Sequence, residues 1–391
     1  MLSDVKVLDF STLLPGPYAS MMLADLGAEV LRVEAPDRVD LVRELPPKVG
    51  DSSVAHQYLN RSKRSIALDL KQPEAVALIH RLVAEYDVVL EQFRPGVMDR
   101  LGLGYETLQA INPRLIYCAI TGYGQTGPYR DRAGHDINYL ALAGISSYSR
   151  RSGEPPLPLG IQVADVAGGS LHSVVGILAA LHQRQRTGKG QLVDISMTDC
   201  AFALNGMSGA AALAGEETPG AESGLLNGGS FYDYYTTADG RHLAVGSLEP
   251  KFFAGLCRVL ELPELAAIGT QPNRQQALKQ ALQARIGEHD LAYWQQRFAN
   301  EDLCVEPVLD LAEAAAQPQL QQRGMVVEVP HPLQGTQRQI GCPIKFSAHT
   351  HSYAHAGGEL GADGVQVLRE LGLDNSTIAT LRAQGVLHGA D

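Results

Sequence analysis

Val5-Lys6-Val7-Leu8-Asp9-Phe10 is a β-rich run that gives way, at Leu14-Pro15-Gly16-Pro17, to a helical pattern over residues 15–26 and then to Ala28-Glu29-Val30-Leu31-Arg32-Val33. Strand, helix and strand joined this closely form the unit of a parallel sheet with right-handed crossovers. The alternation continues. Residues 72–86 predict an amphipathic helix, with Pro73 near its start and Ala75, Leu78, Ile79, Leu82 and Val83 at helical spacing. Residues 88–90 and 115–120 read as strands, 169–185 as a helix and 191–197 as another strand. The fold class is therefore α/β, a layered large domain with a mostly parallel sheet.

After Gly206 the texture changes. Residues 210–227, rich in Ala, Gly and Glu, read partly as a linker, and Asp239-Gly240 between two apolar-aromatic runs predicts a β-hairpin within residues 231–245. Helical patterns over 250–260, 274–286 and 291–299 complete a smaller α+β domain. Residues 357–371 and 376–386 predict two terminal helices that need a surface to pack on.

At 391 residues with 45% apolar content the chain has length for about two domains. Its 32 Lys+Arg stand against 43 Asp+Glu, a net charge of −11, which speaks against nucleic acid as a partner and at first sight against any anionic ligand. No apolar run reaches the roughly 18 residues of a membrane span, and no basic, then apolar leader precedes the first strand. A cytoplasmic location and no membrane partner are the expectation. Five scattered cysteines without a C-x-x-C predict buried thiols, no disulfides and no metal.

Several motifs have plain readings. Gly122-Tyr123-Gly124-Gln125-Thr126-Gly127 matches G-x-G-x-x-G, but Pro128 follows at once and no ribose-binding acid stands at the usual distance. Thr187-Gly188-Lys189-Gly190 lacks the rest of a phosphate loop and reads as a helix-ending turn. His349, His351 and His355 read as an exposed loop. Three other stretches carry more. Gly134-His135-Asp136 sets two ionisable groups where a loop enters a buried element, though a satisfied core histidine is the plainer reading. Asp165 with Gly168-Gly169 stands before an apolar helix, either as an N-cap or as a carboxylate facing a ligand. Glu249 stands at a strand-to-helix turn, where capping is the default.

Taken in order, these three stretches resemble the class III coenzyme A transferase superfamily, and within it the α-methylacyl-CoA racemases. Leu23-Ala24-Asp25-Leu26-Gly27-Ala28-Glu29-Val30, Phe93-Arg94-Pro95-Gly96-Val97, Arg100-Leu101-Gly102-Leu103-Gly104, Thr121 to Pro128 and Arg186-Thr187-Gly188-Lys189-Gly190-Gln191 support the likeness. The resemblance implies a Rossmann-like large domain (1–205), a linker (206–227), a small α+β domain (228–330), a C-terminal return to the large domain (331–391), and two chains interlocked as a homodimer. It places His135 and Asp165 as the proton-transfer pair and Glu249 as the acid that orients the histidine. Coenzyme A contacts fall on Leu68, Asp69, Leu70 and Lys71, on Arg94 and Arg100, and on Gly134, Asp136 and Tyr139. Where racemases usually carry an arginine before the proline that ends the second strand, this chain has Ala35, with Arg38 as the candidate substitute.

The implied chemistry is inversion at the α-carbon of a 2-methyl-branched acyl-CoA. His135 serves one face and Asp165 the other, with oxyanion donors among the backbone N–H groups of the helix after Asp165. Coenzyme A is part of the substrate and no cofactor is expected. The alternative is CoA transfer between carboxylic acids, with Asp165 as the nucleophile. Such enzymes commonly carry a run of glycines ending in Gln, where this chain has only Gly228-Gly229 before Ser230 and Phe231. The negative charge does not oppose either reading: residues 1–130 hold 14 Lys+Arg against 16 Asp+Glu, and basic residues cluster at Arg61-Ser62-Lys63-Arg64, Lys71, Arg94 and Arg100.

Overall fold

The computed structural model describes residues 1–50, 52–215 and 217–389. They divide into two compact units. The first comprises Met1–Ala143, Leu159–Leu204 and the chain from Gln319 onward, and the second comprises Gly144–Pro158 and Asn205–Pro318.

The first unit is built on a seven-stranded sheet. In chain order its strands are β1 (Lys6–Asp9), β2 (Glu29–Glu34), β3 (Arg64–Leu68), β4 (Val88–Glu91), β5 (Ile116–Thr121), β6 (Gln191–Ser196) and, at the far end of the chain, β7 (Leu387–His388). Their spatial order is β7-β3-β2-β1-β4-β5-β6, and every pairing is parallel except that of β7 with β3. Helices cover both faces, so the central strands are almost wholly buried, enclosing charged residues such as Asp9, Arg32 and Glu34 among their apolar ones, and β4 and β5 are buried throughout. Only β6, at an edge, alternates between exposed and partly covered residues before ending buried. Helix α1 (Pro15–Asp25) links β1 to β2, and α2 (Pro73–Val83) buries Ala75, Leu78, Ile79, Leu82 and Val83, the face read from its periodicity.

Under α1 lies a charged core. Asp9, fully buried at the end of β1, accepts the Ser11 N–H at 2.8 Å and the Ser11 and Ser20 hydroxyls. Lys63 approaches it at 3.5 Å while donating to Ser20 Oγ at 2.7 Å, Pro17 O at 2.9 Å and Asn60 Oδ1 at 3.0 Å. Burial pushes the Lys63 ammonium down to about 8. Arg61 is likewise buried and holds Asp25 through both carboxylate oxygens, at 2.6 and 2.9 Å. Arg64 pairs with Glu370 at 2.7 Å and Glu29 at 3.7 Å. Of the basic run that the sequence suggests for phosphates, Arg61 and Lys63 are therefore spent inside the fold, where a buried cation stays charged only beside a carboxylate, and Arg64 is spent on a surface ion pair.

The terminal segment differs from its sequence reading in two ways. Residues 357–363 are not helical, since the backbone there is drawn to Gln57 O and Ser65 O; the helices are α3 (Gly364–Glu370) and α4 (Asn375–Ala383). The surface they need is this chain's own sheet: Val367, Leu368, Ile378, Leu381 and Leu387 share one apolar cluster with Leu8, Leu31, Ile66 and Leu78. A hairpin of Val326–His331 with Gly335–Ile340, unread from the sequence, also lies in this unit. The long helix after residue 163 starts earlier than expected and runs from Ala164 to Thr187. It is long and apolar enough to cross a membrane, contrary to the reading of the sequence, but half of its most apolar window is buried within the protein.

The second unit carries the expected hairpin, Asp233–Thr236 with His242–Val245, turning through Gly240 at φ 74° and joined by Val305–Pro307 into an antiparallel sheet. Helices Pro250–Val259, Gln275–Ile286 and Leu291–Phe298 pack Phe253, Leu256, Leu282 and Trp294 against it. Residues 144–158 also fall here, tied by Arg151 to Asp233 at 2.7 Å and Glu222 at 2.8 Å. The stretch read as linker contains helix Gly206–Leu213, none of whose residues is buried. All five cysteines are free, but only Cys118, Cys257 and Cys342 are buried; Cys200 is half-buried and Cys304 exposed.

Leu381→Ala tests the terminal packing. It should lower the unfolding free energy by about 2–5 kcal/mol in denaturant titrations, as for a core leucine; a surface helix would lose under about 0.5 kcal/mol.

Candidate active site

Strand order reverses between β1 and β4, and loops leaving neighbouring strands there diverge. An open parallel sheet has its natural crevice at the carboxyl ends of such strands. Here it is a cleft of about 420 Å³ walled by Leu13 and Pro15 after β1, Gln92, Phe93, Arg94 and Pro95 after β4, and Thr121 and Gly122 at the end of β5. The remaining wall comes from Arg130, residues 132–135, Asn138, Tyr139, Asp165 and Met197. Both His135 and Asp165 line it.

His135 stands at the start of a short helix, Asp136–Leu142, and is exposed, so the core-histidine reading does not hold. Its N–H is capped by Asn138 Oδ1 at 3.0 Å. Tyr139 fixes the turn before it. The phenol donates to Gly134 O at 2.5 Å and meets Tyr123 edge-to-face at 5.3 Å. A Cβ on either Gly122 or Gly134 would fall 2.6 Å from the Tyr139 ring, so both positions must be glycine.

Asp165 is not an N-cap. It occupies the first turn of the helix from Ala164, which opens as a π-helix over Ala164–Leu171, a winding found disproportionately at functional sites. The two glycines admit close neighbours: a Cβ at Gly169 would lie 3.2 Å from Pro15 and 3.1 Å from Met197. Ser170 Oγ donates to Pro15 O at 2.7 Å, tying this helix to α1. Burial, and secondly the Asp136 charge, push the Asp165 carboxyl up to about 6. The oxyanion donors expected at this helix start are already committed. Asp136 Oδ1 accepts the N–H of Ala164 at 2.6 Å and of Asp165 at 3.2 Å, and the Val166 N–H goes to Gln162 O at 2.9 Å.

A second cavity of about 430 Å³ shares Leu13, Gln92, Phe93 and Arg94 with the first, and a third of about 360 Å³ shares Leu70 with the second. Together they form one groove. Arg38 lines the second cavity beside Ala35, and Lys71 and Arg100 line the third. The acids of the second cavity are neutralised from within: Arg32 pairs with Asp40 and, at 3.3 Å, with Glu34, which Arg43 also holds at 2.7 Å. Lys71 pairs with Asp37 on the surface. Among the described residues no ion pair engages Arg38, Arg94 or Arg100, so the groove is lined by available cations although the chain is acidic.

Of the other expected contacts, Leu70, Gly134 and Tyr139 line the groove. Leu68 lies in the core, paired with Leu387, and Asp69 is turned onto the Lys71 N–H at 3.1 Å and the Gln72 amide at 3.0 Å. Asp136 is spent on the Asp165 turn. Glu249 belongs to the second unit, where it is exposed at the start of helix Pro250–Val259 and makes no side-chain cap. The sequence reading missed Gln92, Arg130 and Arg132; two arginines within five residues of His135 were the available signal.

The match to the family model described as CoA-transferase family III spans residues 2–364. The chain belongs to this family. The human alpha-methylacyl-CoA racemase is 41% identical over 334 residues, 83% of this chain and 82% of that protein. The human succinyl-CoA:glutarate CoA-transferase is 34% identical, over 99% of this chain and 90% of that one. Among solved structures, a CAIB/BAIF family protein from Brucella suis superposes with a TM-score of 0.82 at 32% identity, covering 94% of this chain and 98% of its own. This family III protein is thus an enzyme of a family with both racemases and transferases among its members, and its mixed α/β fold is the family's.

The raised Asp165 carboxyl has a stability consequence with a definite sign. Below its ordinary value of 3.8 the group is protonated folded or unfolded and contributes nothing; above about 6 it is ionised in both, and the folded state bears the cost of burying the charge. Asp165→Asn should therefore raise the melting temperature at pH 8 and leave it unchanged near pH 3, read by calorimetry at both pH values.

Proposed function

We propose that this protein inverts the α-carbon of a 2-methyl-branched acyl-CoA by two-base proton transfer. The observation that carries the reading is that His135 and Asp165, on two different elements, line one cleft that continues into a groove of available arginines. A thioester α-proton is weakly acidic, so its removal needs an aligned base and an acid on the opposite face. His135 takes or returns the proton on one face and Asp165 on the other. A carboxyl poised near 6 is suited to both roles. Glu249 keeps the orienting role that the resemblance implies. The cleft cations Arg130 and Arg132 stabilise the enolate oxygen in place of the committed helix N–H groups. Arg38, Arg94, Lys71 and Arg100 hold the phosphates of coenzyme A, which enters as part of the substrate, and no further cofactor takes part.

The second reading is CoA transfer with Asp165 as nucleophile, supported by the transferases among the relatives. It is disfavoured by the short Gly228-Gly229 run and by the presence of His135, for which an aspartyl thioester has no evident use.

The active form is read as a homodimer in the cytoplasm. Ile137, Phe202, Met207 and Leu213 are 54, 52, 80 and 78% exposed, and helix Gly206–Leu213 buries no residue of its own, which suits cover by a second copy.

One enantiomer of a 2-methylacyl-CoA incubated in deuterated water should racemise with α-deuterium uptake, and His135→Ala should slow this by about 10²-fold or more. Absence of uptake, with CoA passing to an added carboxylate unaffected by His135→Ala, would establish the transferase. Sedimentation should give twice the chain mass, and a Met207→Glu, Leu213→Glu variant should sediment as a folded monomer.

A further inference from the structure

The reading above leaves Asp136 without a role, because its carboxylate is directed away from substrate chemistry and onto the backbone of another element. Oδ1 accepts two successive N–H groups, Ala164 at 2.6 Å and Asp165 at 3.2 Å, twenty-eight and twenty-nine residues away in sequence. These are orphan donors of a helix start, and a carboxylate is the strongest acceptor they can find. The contact ties the turn that carries His135 to the turn that carries Asp165, across the cleft the two line.

We propose that Asp136 is a positioning residue: it holds the first turn of the helix from Ala164 so that the Asp165 carboxyl faces the cleft opposite His135, and it does not bind the substrate. This rests on Asp165 acting in proton transfer. The same contact brings a second carboxylate beside Asp165 and adds its charge to the effect of burial in discouraging ionisation. The other ionisable groups lining the cleft with Asp165 are His135, Tyr139, Arg94, Arg130 and Arg132, and the elements packed against its helix also carry His172, Asp199 and Cys200, Asp194, and Tyr18 and Asp25.

Two variants separate position from charge. Asp136→Asn keeps the amide oxygen as acceptor and removes the charge, so the Asp165 titration, followed by carboxyl carbon NMR and assigned by its loss in Asp165→Asn, should move down by roughly half a unit or more. Asp136→Ala removes the acceptor, and α-deuterium exchange should lose about tenfold or more in kcat with KM for the acyl-CoA unchanged. An unmoved titration in Asp136→Asn overturns the proposal, and so does a raised KM with kcat intact in Asp136→Ala, which would make Asp136 a substrate contact. The titration needs no turnover, so if the protein exchanges no α-proton the proton-transfer reading fails while the placing of Asp136 is still decided.

Discussion

The buried charge of Asp9 constrains much of the first unit. A carboxylate sealed at the end of β1 must collect donors, and those it collects come from three parts of the chain: Ser11 in the following loop, Ser20 on α1, and Lys63 before β3. Their convergence seats α1 on the sheet. Once α1 is seated, the Gly16 N–H meets Gln92 Oε1 at 2.8 Å and Pro15 O receives Ser170 Oγ. The first contact fixes the loop that carries Arg94; the second fixes the helix that carries Asp165. Both walls of the cleft therefore take their place from one buried ion. Gly16 is obligatory at this junction, since a Cβ there would lie within 2.1 Å of Ser11 and 2.7 Å of Gln92.

Cations in this chain serve two separate purposes. Arg32, Arg43, Arg61 and Lys63 are buried and matched with Glu34, Asp40, Asp25 and Asp9, while burial first, and then the cations Arg32, Arg43 and Lys63, keep His56 neutral. Because the inner acids are neutralised from within, Arg38, Arg94 and Arg100 remain available to the groove. Net charge is a poor guide to such a ligand; local pairing decides what a polyanion meets.

Much of the first unit was legible in the sequence. The β1–α1–β2 run, the face of α2, the hairpin at Asp239-Gly240 and the helices of the second unit all follow from periodicity and turn chemistry, which act over a few residues. The misreadings share a cause. Strand β3 opens on a basic residue and does not alternate, strand Gly335–Ile340 carries one apolar residue, and residues 357–363, three of them glycine, give their backbone to Gln57 and Ser65. In each case a distant partner places a segment whose local pattern does not show it. Arg61 and Lys63 are the same error in electrostatic form: a basic run looks like a surface until the acids that bury it are located.

By itself the sequence determined the parallel α/β layers, the second α+β unit, the family, and the candidacy of His135, Asp165 and Glu249, because these depend on residue type and spacing. Tertiary structure alone decided that His135 and Asp165 share a cleft, that Asp136 turns onto the helix backbone, and that Leu68 and Asp69 shape the fold without lining the groove. Those are matters of which groups meet across tens or hundreds of residues. Hydrogen-bond satisfaction and charge burial settle them only once the strands are in order.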